Sequence, residues 1–184
     1  MKPRMQKRVW YILAAALVLG VCLFWIFRPS GQGTYDNLIR NGDFEQVSNG
    51  LPAAWYTDAY FPQTSYTTYD TDEGVTGLAG HIRNHYLNDA RFAQTVSVSP
   101  DTLYCLRGWI RADAQQGWGA NLSIEGITVL SQSVYDLADG WQEVFLYGRT
   151  GKSQTSVTVF ARLGGYSGEA TGEAWFDDIT LSRV

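Results

Sequence analysis

Tyr104-Cys105-Leu106-Arg107-Gly108-Trp109-Ile110-Arg111 alternates without a break: Tyr104, Leu106, Gly108 and Ile110 take one side, Cys105, Arg107, Trp109 and Arg111 the other. A period of two is the signature of a strand with one buried and one wet face. The pattern recurs downstream. Ala120, Leu122 and Ile124 alternate with Asn121, Ser123 and Glu125; Val144, Leu146 and Gly148 with Phe145 and Tyr147; Val157, Val159, Ala161 and Leu163 with Thr158, Phe160 and Arg162. Asp139-Gly140, Thr150-Gly151 and Gly164-Gly165 mark turns between such runs. Beyond residue 34 no stretch carries a convincing helical period. About nine strands of this kind bury their apolar faces most economically as two antiparallel sheets in a sandwich, and a core of that size needs neither a disulfide nor a metal for marginal stability.

The N-terminal head reads differently. From Trp10 to Phe27 all 18 residues are apolar or glycine, roughly 27 Å of helix and close to the hydrocarbon thickness of a bilayer. Lys2, Arg4, Lys7 and Arg8 precede the run and only Arg28 follows it, which puts the N-terminus in the cytoplasm and the rest outside. The expected organisation is a cytoplasmic tail over 1–9, a single transmembrane anchor over 10–27, a linker over 28–36 and an extracytoplasmic β-sandwich over 37–184. A cleaved signal is the weaker reading, because the apolar run is long for one, exits through Phe27, Arg28 and Pro29, and is followed only by Gly31 and Gly33 as a weak cleavage site. Val21 stands where a lipoprotein signal needs a small residue before Cys22, so lipidation is not expected.

Charge divides the same way. The head carries five cationic residues and no acid, whereas the body holds the other nine Lys/Arg against all 18 Asp/Glu. A body at −9 repels the phosphate backbone, so nucleic acid is not an expected partner. Cys22 and Cys105 fall on opposite sides of the linker and are not expected to form a disulfide. His81 and His85 lack the intervening glutamate of a zinc helix and lie in strand or loop sequence.

A family resemblance rests on two motifs and a run between them. Asn37-Leu38-Ile39 leads through Asn41-Gly42-Asp43-Phe44-Glu45 to Leu51-Pro52 and Trp55; Gln94-Thr95-Val96-Ser97-Val98 leads to Tyr104; and Ala174-Trp175-Phe176-Asp177-Asp178-Ile179-Thr180-Leu181 closes the chain. In these the body resembles the family 4, 9 and 22 carbohydrate-binding modules, jelly rolls usually appended to glycoside hydrolases. The resemblance implies an all-β jelly-roll sandwich and a structural Ca²⁺ held by Glu45 and Asp177, with the Asp43 carbonyl and carbonyls near Val75 and Leu78 completing the shell. Calcium favours such hard oxygen donors. The plainer alternative is that both carboxylates bond backbone amides or Arg183.

Jelly-roll order further implies that strands at 79–85, 156–163, 104–111 and 119–125 share one sheet. Its outward side would present His81, Arg83, Arg107, Trp109, Arg111, Asn121, Glu125, Phe160 and Arg162. Rings cover the apolar face of a pyranose while charged and amide groups bond its hydroxyls; a solvated face in which arginine stems cover the rings is the bland alternative. Trp118 in Gly117-Trp118-Gly119 and Tyr166 beside Gly164-Gly165 are loop rings that could rim a groove or touch a partner. The expected function is therefore a membrane-anchored, non-catalytic module that binds a glycan. The alternative is an accessory subunit of a larger membrane complex that uses the sandwich for protein contacts. A small hydrolase ranks last, since no two carboxylates can be placed across a groove at catalytic separation.

Overall fold

Among residues 36–184, which a computed structural model describes apart from Thr128 and Ser167, the period-two runs fold as eleven strands. They are β1 (Val47–Ser48), β2 (Leu51–Pro52), β3 (Tyr56–Ala59), β4 (Thr67–Glu73), β5 (Leu78–Asn88), β6 (Ala90–Ser97), β7 (Leu103–Gly117), β8 (Ala120–Ile124), β9 (Gln142–Arg149), β10 (Ser156–Leu163) and β11 (Ala170–Arg183). One 3₁₀ turn, Leu137–Asp139, is the sole helical element among the described residues. The tail expected over 1–9, the anchor over 10–27 and the linker up to residue 35 lie outside the described residues. Among those described, no helix is long and apolar enough to cross a membrane.

The strands form a ribbon β1-β2, a four-stranded sheet in the order β3-β6-β10-β8 and a five-stranded sheet in the order β4-β5-β11-β7-β9, all antiparallel. The inner faces meet in one hydrophobic cluster. Leu106, Ile110, Val144, Leu146, Phe176 and Leu181 come from the five-stranded sheet, and Phe92, Val96, Leu122, Val159 and Leu163 from the four-stranded one. The opening motif plugs this core through Phe44, whose ring stacks on Trp55 at 5.2 Å, while the Trp55 indole N–H donates to the Asn41 carbonyl at 2.9 Å.

Topology corrects one expectation. β5 and β7 belong to the five-stranded sheet and β8 and β10 to the four-stranded sheet, so the four strands expected together are divided two and two. The reason is β11. The closing motif runs through the middle of the five-stranded sheet and pairs with β5 on one side and β7 on the other, which excludes β10 from that sheet. Alternation reports which face a residue takes, and nothing about which sheet its strand joins.

A second correction concerns β8. Its five residues are all buried, Asn121 and Ser123 included. The 131–134 stretch pairs along its edge, Ser131 N–H donating to the Leu122 carbonyl and Val134 bridging Ala120, while on the outward side Asn121 Nδ2 donates to the Gly164 carbonyl at 2.7 Å, Arg162 donates to the Ser123 hydroxyl at 3.3 Å and the Tyr166 hydroxyl donates to the Ile124 carbonyl at 3.0 Å.

Candidate binding surfaces and cation cradle

The outer face of the five-stranded sheet gathers His81, Arg83, Arg107, Trp109 and Arg111, as the alternation of β5 and β7 requires. Between them β11 adds Trp175 and Glu173, and the edges add Asp70 and Asp72 from β4 and Glu143, Phe145 and Tyr147 from β9. Register makes the polar groups partners. Asp70, His81, Trp175 and Arg111 stand in one row across four strands. The His81 ring nitrogens face Asp70 at 2.6 Å and Glu173 at 3.1 Å, and Glu173 also pairs with Arg83 at 3.0 Å. Trp175 is sandwiched between the His81 ring at 4.8 Å and the Arg111 guanidinium at 4.4 Å, and its indole N–H donates to Asp72 at 2.9 Å. That bond holds the Asp72 carboxyl below its ordinary value. Both faces of Trp175 are thus taken up within the protein, and this half of the face is closed on itself.

The β7–β9 half is more open. Trp109 and Trp141 are half-buried, and Phe145 and Tyr147 are exposed, Tyr147 at 59 %. Arg107 donates through Nε to Glu143 at 2.6 Å and lies over Phe145 at 5.8 Å. Arg111 lies 5.4 Å from the Trp141 ring and, among the described residues, makes no hydrogen bond or ion pair; its Nε is buried without a partner. Rings and guanidinium donors therefore stand side by side on one accessible strip. Trp141 and the β9 residues were missed in the sequence because only the pairing of β7 with β9 brings them there.

The remaining sequence candidates lie elsewhere. Phe160, Arg162 and Asn121 are on the outer face of the four-stranded sheet. Arg162 and Asn121 are 0 % exposed, which removes both from any surface a ligand touches in this conformation. Arg162 is spent on Asp89, donating through Nε at 3.0 Å and through a second, shorter contact, beneath the Tyr166 ring. Phe160 is half-buried under the Arg91 guanidinium. Glu125 is exposed but sits at the end of β8, lining a depression of about 240 Å³ with Ile127, Arg149 and Gln154. Trp118 and Tyr166 are exposed loop rings, Trp118 just before the start of β8 and Tyr166 reaching along β8 to the Ile124 carbonyl.

Glu45 and Asp177 converge on the turn joining β4 to β5. Glu45 Oε1 accepts the Leu78 N–H at 2.7 Å and Asp177 Oδ2 accepts the Val75 N–H at 2.8 Å. Burial pushes the Asp177 carboxyl up to about 6, and neighbouring Asp178 adds to the shift, against the amides of Val75 and Asp178 that pull it down. A methyl at Gly74 would lie 2.7 Å from both Asp177 Oδ2 and the Leu78 carbonyl oxygen, and one at Gly77 would strike the Glu45 carboxylate. The turn is thus a cradle of oxygens with a buried carboxylate and, among the described residues, no cationic side chain bonded to it; Arg183 reaches Ser99 instead. The donor set fits a hard cation. Asp43 has an exposed side chain, and no cluster of three or more His, Cys, Asp or Glu side chains occurs among the described residues, so carbonyls would supply the other ligands.

No family model matches the chain. Exochitinase 1 of Streptomyces olivaceoviridis is 28 % identical over 170 residues, 92 % of this chain; the chain spans only 25 % of that protein's length. Among solved structures, a putative sugar binding protein from Bacteroides thetaiotaomicron superimposes with a TM-score of 0.59 at 16 % identity, covering 81 % of this chain and all of that one. A family 61 carbohydrate-binding module in complex with β-1,4-galactotriose gives 0.53 at 16 % identity, over 81 % of this chain and 99 % of its own. The body therefore has the fold of the carbohydrate-binding modules, the resemblance that its opening and closing motifs carry.

Proposed function

We propose that the protein is a non-catalytic glycan-binding module, tethered to the membrane by residues 10–27, which grips its ligand on the β7–β9 half of the five-stranded sheet. The observation that carries this reading is the strip of Trp109, Trp141 and Phe145 beside Arg107 and Arg111, in which the Arg111 guanidinium packs on Trp175 and Trp141 but has no hydrogen-bonding or ionic partner among the described residues. Rings stack on pyranose faces, and guanidinium groups donate to hydroxyl and ring oxygens. The non-catalytic part of the reading rests on the carboxylates of the face: Asp70 faces His81, Asp72 the Trp175 indole, Glu143 Arg107, and Glu173 both His81 and Arg83. Carboxylates so engaged are poor acids and bases for glycoside cleavage. A glycan array probed with the full-length protein in detergent tests the proposal, and a wild-type protein that binds nothing would refute it.

In the same reading, Glu45 and Asp177 hold a structural Ca²⁺ with turn carbonyls, the ion supplying the positive charge that the buried Asp177 lacks. Chelation lowers the melting temperature and added calcium restores it, since a ligand of the folded state alone stabilises by mass action. Asp177→Asn abolishes the response. A melting temperature indifferent to chelator rules the ion out.

A second reading, an accessory subunit of a membrane complex, draws on one observation. β9 is an edge strand whose Phe145 and Tyr147 stand exposed, and such edges pair with other chains. Stoichiometric membrane subunits after gentle detergent purification favour it.

A further inference from the structure

The loops at one end of the sandwich hold a depression that the sheet face does not use. The ends of β3, β5, β7 and β10 and the starts of β4, β6, β8 and β11 meet there, as the pairings of Ala59 with Ala90, Leu163 with Ala90 and Ala120, and Ala170 with Asn88 and Gly117 show. The depression, about 410 Å³, is lined by Tyr60, Asp89, Gly165, Tyr166, Gly168 and Glu169. Its floor is fixed. Asp89 is 8 % exposed and accepts from Arg162 on both oxygens and from Arg91 on Oδ2 at 2.9 Å. The backbone N–H of Tyr60 donates to the Asp89 carbonyl at 2.9 Å, and that of Phe61 to Asn88 Oδ1 at 2.9 Å, which pins the β3–β4 loop against the floor.

The rim is aromatic and its acceptors are open. Tyr60 is 68 % exposed, and the Tyr166 ring lies over Arg162 at 4.4 Å with its hydroxyl held by Ile124. Trp118, 45 % exposed, lies across the same turn, which tolerates it because residues 165 and 168 are glycine: a methyl at Gly168 would be 2.1 Å from the indole. Among the described residues the Glu169 carboxylate has no hydrogen bond or ion pair, and Asp89 Oδ1 has one donor where it can take two. A free carboxylate at Glu169 and a fixed one at Asp89 with one acceptor site left, set between rings, suit a ligand with hydroxyl donors and an apolar face, and the volume is that of a small-molecule site rather than a long cleft.

We propose that this depression is a second binding site, distinct from the sheet strip, that takes the terminal residue of a neutral saccharide chain. The inference rests on the glycan-binding reading above and assigns to the loops the part of the ligand that an open strip cannot enclose. Asn37 and Leu38 bond Ile179 and Leu181, near the far end of β11 from the depression, and eleven strand residues separate the two by roughly 35 Å. The chain therefore enters the sandwich at the end opposite this site.

The test uses full-length protein in detergent on an array of neutral galacto-, xylo-, cello- and chito-oligosaccharides from trimer to hexamer. Tyr60→Ala, Glu169→Gln and Trp109→Ala are assayed in parallel, each checked by its melting temperature. The inference expects Tyr60→Ala and Glu169→Gln to weaken at least one bound series tenfold or more at unchanged melting temperature. It also expects this component to vary less than threefold from trimer to hexamer and to survive Trp109→Ala. If glycans bind but both loop variants match wild type, the second site is refuted and the glycan reading stands. If nothing on the array binds wild type, both fall together.

Discussion

Asp89 and Arg162 form an ion pair with the guanidinium wholly enclosed and the carboxylate nearly so. Removing one partner strands the other in a low-dielectric interior, and breaking such a pair costs about 3–5 kcal/mol. Asp89→Ala should lower the unfolding free energy by that amount in urea, and the double substitution with Arg162→Met should recover much of the loss; equal loss in both would mean the pair contributes through packing alone. Asp72 gives a pH-dependent counterpart. Its folded carboxyl is held below the ordinary value by the Trp175 indole, so the stabilisation is present above about pH 3.8 and disappears as the pH falls through the depressed value. Asp72→Asn should therefore be less stable than wild type at pH 6, and the difference should shrink as the pH falls below the ordinary carboxylate value of about 3.8. A difference that persists in acid would assign the effect to shape rather than charge. Arg162 is legible in the sequence only as an outward-facing residue of an alternating strand; its burial rests on Asp89, which pairs with it, and on the Tyr166 ring that lies over it, contacts that no local pattern encodes.

At the scale of the element, β11 carries the fold. It joins β5 to β7 along most of its length and is irregular between Ala170 and Gly172 and between Asp177 and Thr180. The first irregularity needs Gly172, which has φ of 111° and would place a methyl 1.9 Å from the Asp113 carbonyl oxygen. Gly172→Ala should cost about 1–3 kcal/mol, the price of holding a side chain in that backbone region, measurable by urea denaturation; a neutral result would show that the bulge relaxes. The second irregularity, with Asp178 at φ 49°, lies where Asp177 meets the cation cradle. Both motifs behind the family resemblance are visible in sequence because they are local. So was the alternation of β7, β8, β9 and β10, with the exception that the second face of β8 is covered. The sheet order was not legible: β11 is separated from its partners on β5 and β7 by some fifty to a hundred residues of chain, and long-range pairing of this kind leaves no periodic trace. Hence alternation along β7 suffices to bring Arg107, Trp109 and Arg111 together, while Phe160 and Arg162 lie on the four-stranded sheet and not on the one that jelly-roll order implies.

Residues 36–184 form one sandwich, with Asn37 and Leu38 at one end, aromatic loops at the other and a ring-and-guanidinium strip along one flank. The net charge of −9 on the body sets no barrier to a neutral glycan and opposes nucleic acid. Glycan binding by the strip on β7 and β9 turns on the Trp109 ring. A half-buried ring that becomes fully buried in a complex contributes about 1.5–3 kcal/mol, so its loss should weaken binding at least about tenfold. The most direct measurement is the dissociation constant of the full-length protein for its strongest length-dependent array ligand, compared with Trp109→Ala at matched melting temperature. The account predicts a weakening of about tenfold or more, and an unchanged constant would contradict it.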